Sequence, residues 1–285
     1  MAILALFVIV LLGVAAAPAT PDVAILVYLV LSALVAVGFG AAFLLLRLTT
    51  GGATTYWCSA SDRRQLFGII VLILVAVFSQ LVIAKILEMS NQGGTINFAI
   101  NSVMVMTAAP ALFLIFGVVR WPVRLRQASR LHLLLIGGLA VGLAAFASVV
   151  NLTYAGASWR TLPFVPVSGL LASLALTNVG EEIIFRVLLL TALADATRSR
   201  VQSVFLSSTI FAASHAPMVV FFPILKGNRP LLAVVANAYG FEFIGQLVIG
   251  LLLGVLWLRT GSLWVIGLTH FVFNIGPALR VTFGL

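Results

Sequence analysis

The stretch Asn178-Val179-Gly180-Glu181-Glu182-Ile183-Ile184-Phe185-Arg186 places three ionisable side chains inside a long apolar run. A charged side chain at the centre of a bilayer helix costs about 2.5–3.5 kcal/mol on insertion scales, so three together need compensation or a task. Glu182 and Arg186 stand four residues apart, in the favourable acid-before-base order, and neutralise each other on one helix face. Glu181 lies about 100° further round the helix, and that pairing leaves it over. A spare carboxylate in a dry place has the character of a general base.

The surroundings of this stretch set the fold class. The chain has 285 residues, of which 62% are hydrophobic and 8% charged, and its mean hydropathy is +1.23. Ordinary soluble domains carry about 25% charged residues. The expectation is an all-α, polytopic transmembrane bundle in which most of the chain is spent on spans of about 20 residues. The net charge of +9 does not point to nucleic acid, because the basic residues sit mostly in short loops between apolar runs. The single cysteine, Cys58, has no partner for an internal disulfide or a metal site.

Eight to nine spans are expected. The run 1–17 ends in Ala15-Ala16-Ala17 and reads as an uncleaved span, since no basic residue precedes it as in a signal peptide. Further runs cover 23–46, 66–88, 97–119 and 132–154, then the motif helix 166–194, followed by 202–225, 241–258 and 262 to the C-terminus. The segment 226–240, with Gly227, Pro230, Asn237 and Gly240, reads as a loop or re-entrant piece. Alternate loops carry Arg47, Arg63, Arg64, Arg120, Arg124, Arg126, Arg130, Arg198, Arg200 and Arg259 on one side. The other side holds Lys85, Arg160, Lys226, Arg229 and Arg280. The richer side, and with it the N-terminus, is expected in the cytoplasm. The chain thus divides into residues 1–165, a set of generic spans, and residues 166–285, where the chemistry-bearing side chains collect.

Two of the three histidines fall inside late apolar helices, His215 in Phe211-Ala212-Ala213-Ser214-His215 and His270 in His270-Phe271-Val272-Phe273-Asn274. Phe211 shares a helix face with His215, and His270 shares one with Asn274. If both faces turn toward Glu181, one pocket holds a carboxylate, two imidazoles and a carboxamide. That set suits the activation of water and the stabilisation of an oxyanion.

Glu-Glu-x-x-x-Arg, Phe-x-x-x-His and His-x-x-x-Asn, in that order and on separate apolar segments, resemble the CAAX protease and bacteriocin-processing family. Its type II CAAX prenyl endopeptidases and Abi-like members are intramembrane glutamate proteases. The run Gly250-Leu251-Leu252-Leu253-Gly254 and the later Arg259-Thr260-Gly261-Ser262-Leu263-Trp264 are similar to the family's late helices. The likeness covers about 175–280. It implies that Glu181 activates water with His215 as its partner, and that His270 and Asn274 stabilise the oxyanion. Glu182 and Arg186 would be supporting residues, and Phe211 packing. The implied substrate is a membrane-associated or lipidated peptide or protein, met within the lipid bilayer. No cofactor is expected. A zinc reading would use Glu181, His215 and His270 as ligands, but the compact His-Glu-x-x-His helix is absent.

A transporter or proton relay would use the same polar residues without hydrolysis. Internal inverted symmetry would favour it, and the acidic and histidine residues are concentrated in the second half only. An inactive scaffold of the same fold would have no need of the polar set. Aspartyl proteolysis lacks a membrane aspartate pair, since Asp195 ends a helix and Asp22 and Asp62 lie in loops. Ser214 beside His215 points about 100° away from it, which disfavours a serine dyad. Glu242 and Gln246 share a face of the eighth run and read as inter-helix hydrogen-bonding groups.

Overall fold

The computed structural model describes residues 57–58, 63–89, 95–124, 129–154, 164–225 and 243–283. The first two expected spans, the segment 226–240, Arg160 and Glu242 lie outside the described residues. The helices are α1 (Arg63–Met89), α2 (Thr95–Ile115), α3 (Arg130–Tyr154) and α4 (Phe164–Glu182). A π-helical segment (Ile183–Leu190) joins α4 without a break to α5 (Thr191–Thr197). Then come α6 (Arg200–Leu225), α7 (Ile244–Thr260) and α8 (Leu263–Phe283). The one departure from an all-helical fold among the described residues is a two-residue antiparallel pairing of β1 (Trp57–Cys58) with β2 (Val123–Arg124).

The helix ends follow from local chemistry. The expected run 97–119 stops at Ile115 because Gly117 takes φ +67. Its N–H bonds to Leu114 O at 3.1 Å and the next N–H, of Val118, to Phe113 O at 2.9 Å, the two bonds of a Schellman cap. Gly261, at φ +55, ends α7 with a bond from its N–H to Trp257 O of 2.8 Å. Ser262 then caps α8 through Oγ, which accepts from the Val265 N–H at 3.4 Å. This Thr260-Gly261-Ser262 turn is what sets α8, and with it His270, in register.

By length and composition two of the described helices are able to cross a membrane, Arg63–Leu87 and Arg130–Val149; the apolar helices 101–115, 245–260 and 263–279 are shorter. Eight or nine spans are therefore not reached among the described residues. The faces of α1 say what surrounds it. Phe67, Ile70, Leu74, Phe78, Val82 and Ile86 recur at helical spacing and are exposed, while Ile69, Leu72, Ile73 and Ala76 are buried. A helix bordering water would carry polar residues on its outer face. Here that face is as apolar as the inner one, as lipid requires.

The described residues fall into two units. One is built from Thr55–Ala192 and Leu256–Leu285, and the other includes Leu193–Val255. In the first, α8 packs against α3 and α4, α4 against α2, α2 against α1, and the π segment against α1. Small residues let these helices approach closely. On α3, Gly137, Ala140, Ala144 and Ser148 are buried along one face, and Ser148 Oγ accepts from the Gly276 N–H of α8 at 2.7 Å. On α4, a Cβ at Gly180 would collide with the Met106 carbonyl of α2. Leu170 and Leu279 close the α4–α8 contact, with Val167, Ile275 and Ala278 around them. Gln65 at the start of α1 bonds both backbone groups of Arg120, each at 2.9 Å. That clamp brings Arg63 and Arg64 to the same end of the unit as Arg120.

In the second unit α6 meets α7 at Gly250. A Cβ there would lie 3.0 Å from the Ser208 Cβ and 3.3 Å from the Phe211 ring.

Candidate active site

Glu181 and Glu182 are the last two residues of α4, and the backbone changes to the π form at Ile183. By hydropathy alone 166–194 reads as one uninterrupted α-helix, and the structure differs from that at Ile183. π turns are rare and cluster at functional sites. The ion pair read from the i, i+4 spacing survives the change: Arg186 Nη1 lies 3.3 Å from Glu182 Oε1, with both side chains at most 1% exposed. The exit from the π segment is tied down by a relay across the unit. Trp257 Nε1 donates to Thr191 Oγ1 at 3.0 Å, and Thr191 Oγ1 donates to the Arg186 carbonyl at 3.3 Å.

His270 comes from α8 to the same carboxylate. Its Nδ1 stands 2.8 Å from Glu182 Oε1, so one carboxylate oxygen holds both the guanidinium and the imidazole. An ionised carboxylate only accepts, which puts a proton on Nδ1. The opposite nitrogen, Nε2, faces Glu181 Oε2 at 3.8 Å, close enough for charge interaction and too far for a direct hydrogen bond. Glu182 and His270 are fully buried, and Glu181 keeps 8% exposure. The two carboxylates differ in their partners: Glu182 Oε1 meets both Arg186 and His270 while its buried Oε2 has no hydrogen-bond partner among the described residues, and Glu181 Oε2 faces His270 Nε2.

One helical turn along, the two helices meet again. Asn274 Nδ2 donates to Asn178 Oδ1 at 3.3 Å. Asn178 lies one turn before Glu182, as Asn274 lies one turn after His270, so α4 and α8 are joined by two polar rungs. Asn178 is 1% exposed.

His215 belongs to the second unit and is half-buried on α6. Its Nδ1 is 2.9 Å from the Phe211 carbonyl, and its ring stands edge-on to Phe211 with centroids 4.8 Å apart at 74°. A carbonyl only accepts, so Nδ1 carries the proton, and in the neutral ring Nε2 is left as a proton acceptor. Phe211, expected as packing, thus also fixes the orientation and tautomer of His215. Gln246, assigned from sequence to hydrogen bonding between helices, is half-buried on α7. Among the described residues no group of three or more His, Cys, Asp or Glu side chains is arranged to hold a metal ion.

Residues 158–276 match the family model described as type II CAAX prenyl endopeptidase Rce1-like. This segment is similar to an Rce1-like domain. The matched segment contains every polar residue just described, from Asn178 to Asn274. The Rce1-like family is membrane-embedded and has CAAX-type protease activity, acting on peptides or proteins at the membrane. No curated protein and no solved structure matches the chain.

Three residues of this constellation have no role in the sequence reading. Asn178 was legible in principle, since it is a polar residue one turn ahead of Glu182 on the same face. Thr191 and Trp257 were not, because they are 66 positions apart and only packing joins them.

Proposed function

We propose that this chain is an intramembrane endopeptidase that hydrolyses a peptide bond by glutamate-activated water. The observation that carries the reading is His270, fully buried between two carboxylates, 2.8 Å from Glu182 and 3.8 Å from Glu181. Here a second acid is kept beside the same imidazole in apolar surroundings.

In the proposed reaction Glu181 takes a proton from water as the water oxygen bonds to the substrate carbonyl carbon. The carbonyl π electrons move to oxygen. His270, doubly protonated with Nδ1–H held by Glu182, turns Nε2–H to that oxyanion, and Asn274 donates alongside it. The oxyanion then re-forms C=O as the C–N bond breaks, and the nitrogen leaves with the proton returned from Glu181. The products are a carboxylic acid and an amine, with one water consumed. Glu182 and Arg186 hold His270 and balance the charge of the acids, and the proposed mechanism uses no metal or other cofactor.

The proposed setting is a multi-pass bundle of eight to nine spans with its N-terminus in the cytoplasm, supported by the apolar outer face of α1 and the clamp between the two arginine-bearing loops. The proposed substrate is a lipidated C-terminus of the form Cys-aliphatic-aliphatic-X, prenylated on the cysteine. The test uses the full chain in liposomes and a fluorogenic peptide ending in S-farnesyl-Cys-aliphatic-aliphatic-X. Release of the C-terminal tripeptide that persists under a strong chelator is the expected result. Activity lost to the chelator and restored by zinc would move the site to the metal class. No release from either farnesylated or unmodified peptides would contradict the reading.

A further inference from the structure

Asn178 is 1% exposed, and its side-chain oxygen is already used as the acceptor for Asn274 at 3.3 Å. Its side-chain nitrogen is buried and has no hydrogen-bond partner among the described residues. Turning the Asn178 carboxamide over by itself would set two NH2 groups against each other, so with Asn274 donating as it stands the nitrogen is the end left. A buried donor without a partner costs about 1–3 kcal/mol. Asn178 precedes Glu181 by three residues and Glu182 by four, so this nitrogen lies on the flank of the helix that carries both acids. An NH2 group only donates, and what completes it must be an acceptor. Two neighbouring carboxylates make the place unwelcoming to a resting anion. A neutral carbonyl oxygen, which gains negative charge only during reaction, fits both demands.

We propose that Asn178 is a further catalytic residue, whose free N–H bonds the scissile carbonyl oxygen, with Asn274 holding the carboxamide in place. This rests on the endopeptidase reading above. Asn178 and Asn274 then work as a pair of carboxamides on one oxygen, beside His270, and the unpartnered donor of the resting enzyme is satisfied most strongly in the transition state.

The test is kinetic, on the full chain in liposomes with the S-farnesylated peptide. Asn178→Leu and Asn178→Ala remove the donor with and without similar volume, and Asn178→Ser returns a shorter one. Loss of one oxyanion donor lowers kcat by about 10²–10³-fold. The proposal expects that loss in both donorless variants with KM changed less than about threefold, and recovery of at least about tenfold in Asn178→Ser. The double variant with Asn274→Ala is expected to be no slower than the slower single variant, as for residues acting as a unit. Parent-like kcat, or an effect confined to KM, would overturn the proposal. So would failure of both donorless variants to fold, which assigns Asn178 to structure. Glu181→Gln run in parallel separates the two claims. If it turns over normally, the endopeptidase reading fails. If it is inactive while Asn178→Leu keeps its kcat, only the role of Asn178 falls.

Discussion

Helix α1 and the continuous helix from α4 through the π segment are inverted copies of each other in their use of side chains. On α1 the large apolar residues point outward, with Phe67 at 68% and Phe78 at 62% exposure. On the motif helix the charged residues point inward, with Glu182 and Arg186 at no more than 1%. In water the first arrangement would aggregate and the second would be unaffordable without its partners. In lipid the outer face of α1 costs nothing, and the ionisable groups have nowhere to go but the interior, where each is held by another. Where polarity appears inside such a chain, it marks a place the bundle is built to satisfy.

The strongest way to break this contrast is to remove a partner from the interior. Arg186→Ala leaves Glu182 with a buried charge balanced only by His270, and breaking a buried pair costs about 3–5 kcal/mol. The expected outcome is reduced yield of folded protein and a lower thermal midpoint in detergent, together with loss of turnover. A fully stable but inactive variant would instead assign Arg186 directly to the chemistry.

The outer face of α1 offers the converse test. Leu74→Asp puts a charge where the account places lipid, at about 2.5–3.5 kcal/mol if that position lies near the bilayer centre. Insertion efficiency and thermal midpoint should both drop. If the face met water, the change would stay within about 0.5 kcal/mol, as for ordinary surface substitutions.

A smaller effect is expected at the junction of the two kinds of surface. Trp257→Phe keeps the buried ring and removes the bond to Thr191, worth about 0.5–1.5 kcal/mol. Because Thr191 also bonds the Arg186 carbonyl at the exit of the π segment, a fall in kcat of a few-fold should accompany the small loss of stability. Unchanged kcat with the full stability loss would show that the relay is structural only.

Much of this was legible in the chain itself, and for a physical reason. Apolar runs bounded by arginine, glycine and proline locate helices well, and α1, α3, α6, α7 and α8 lie within a few residues of their expected limits. The pairing of Glu182 with Arg186 is local, and spacing alone reveals it. What spacing cannot reveal is a change of helix type. Ile183–Leu190 has the composition of any buried helix, and nothing in it announces the π form. The end of α2 at Ile115 depends on Gly117 taking a left-handed conformation, which glycine permits but does not demand. The close join of His270 to Glu182 spans 88 positions, and neither the helix faces nor the family likeness points to it, since both set His270 toward Glu181 and leave Glu182 to Arg186. The Asn178–Asn274 rung spans 96 and had no guide either.

Glu181→Gln is the most direct trial of the central claim, because it preserves shape and removes only the proton acceptor. Parent and variant are reconstituted in liposomes and compared on the S-farnesylated peptide by kcat, with folding checked by thermal midpoint. The account predicts a folded variant whose kcat is lower by at least about 10²–10⁴-fold, the usual worth of a general base. A folded variant that cleaves at the parent rate would contradict it.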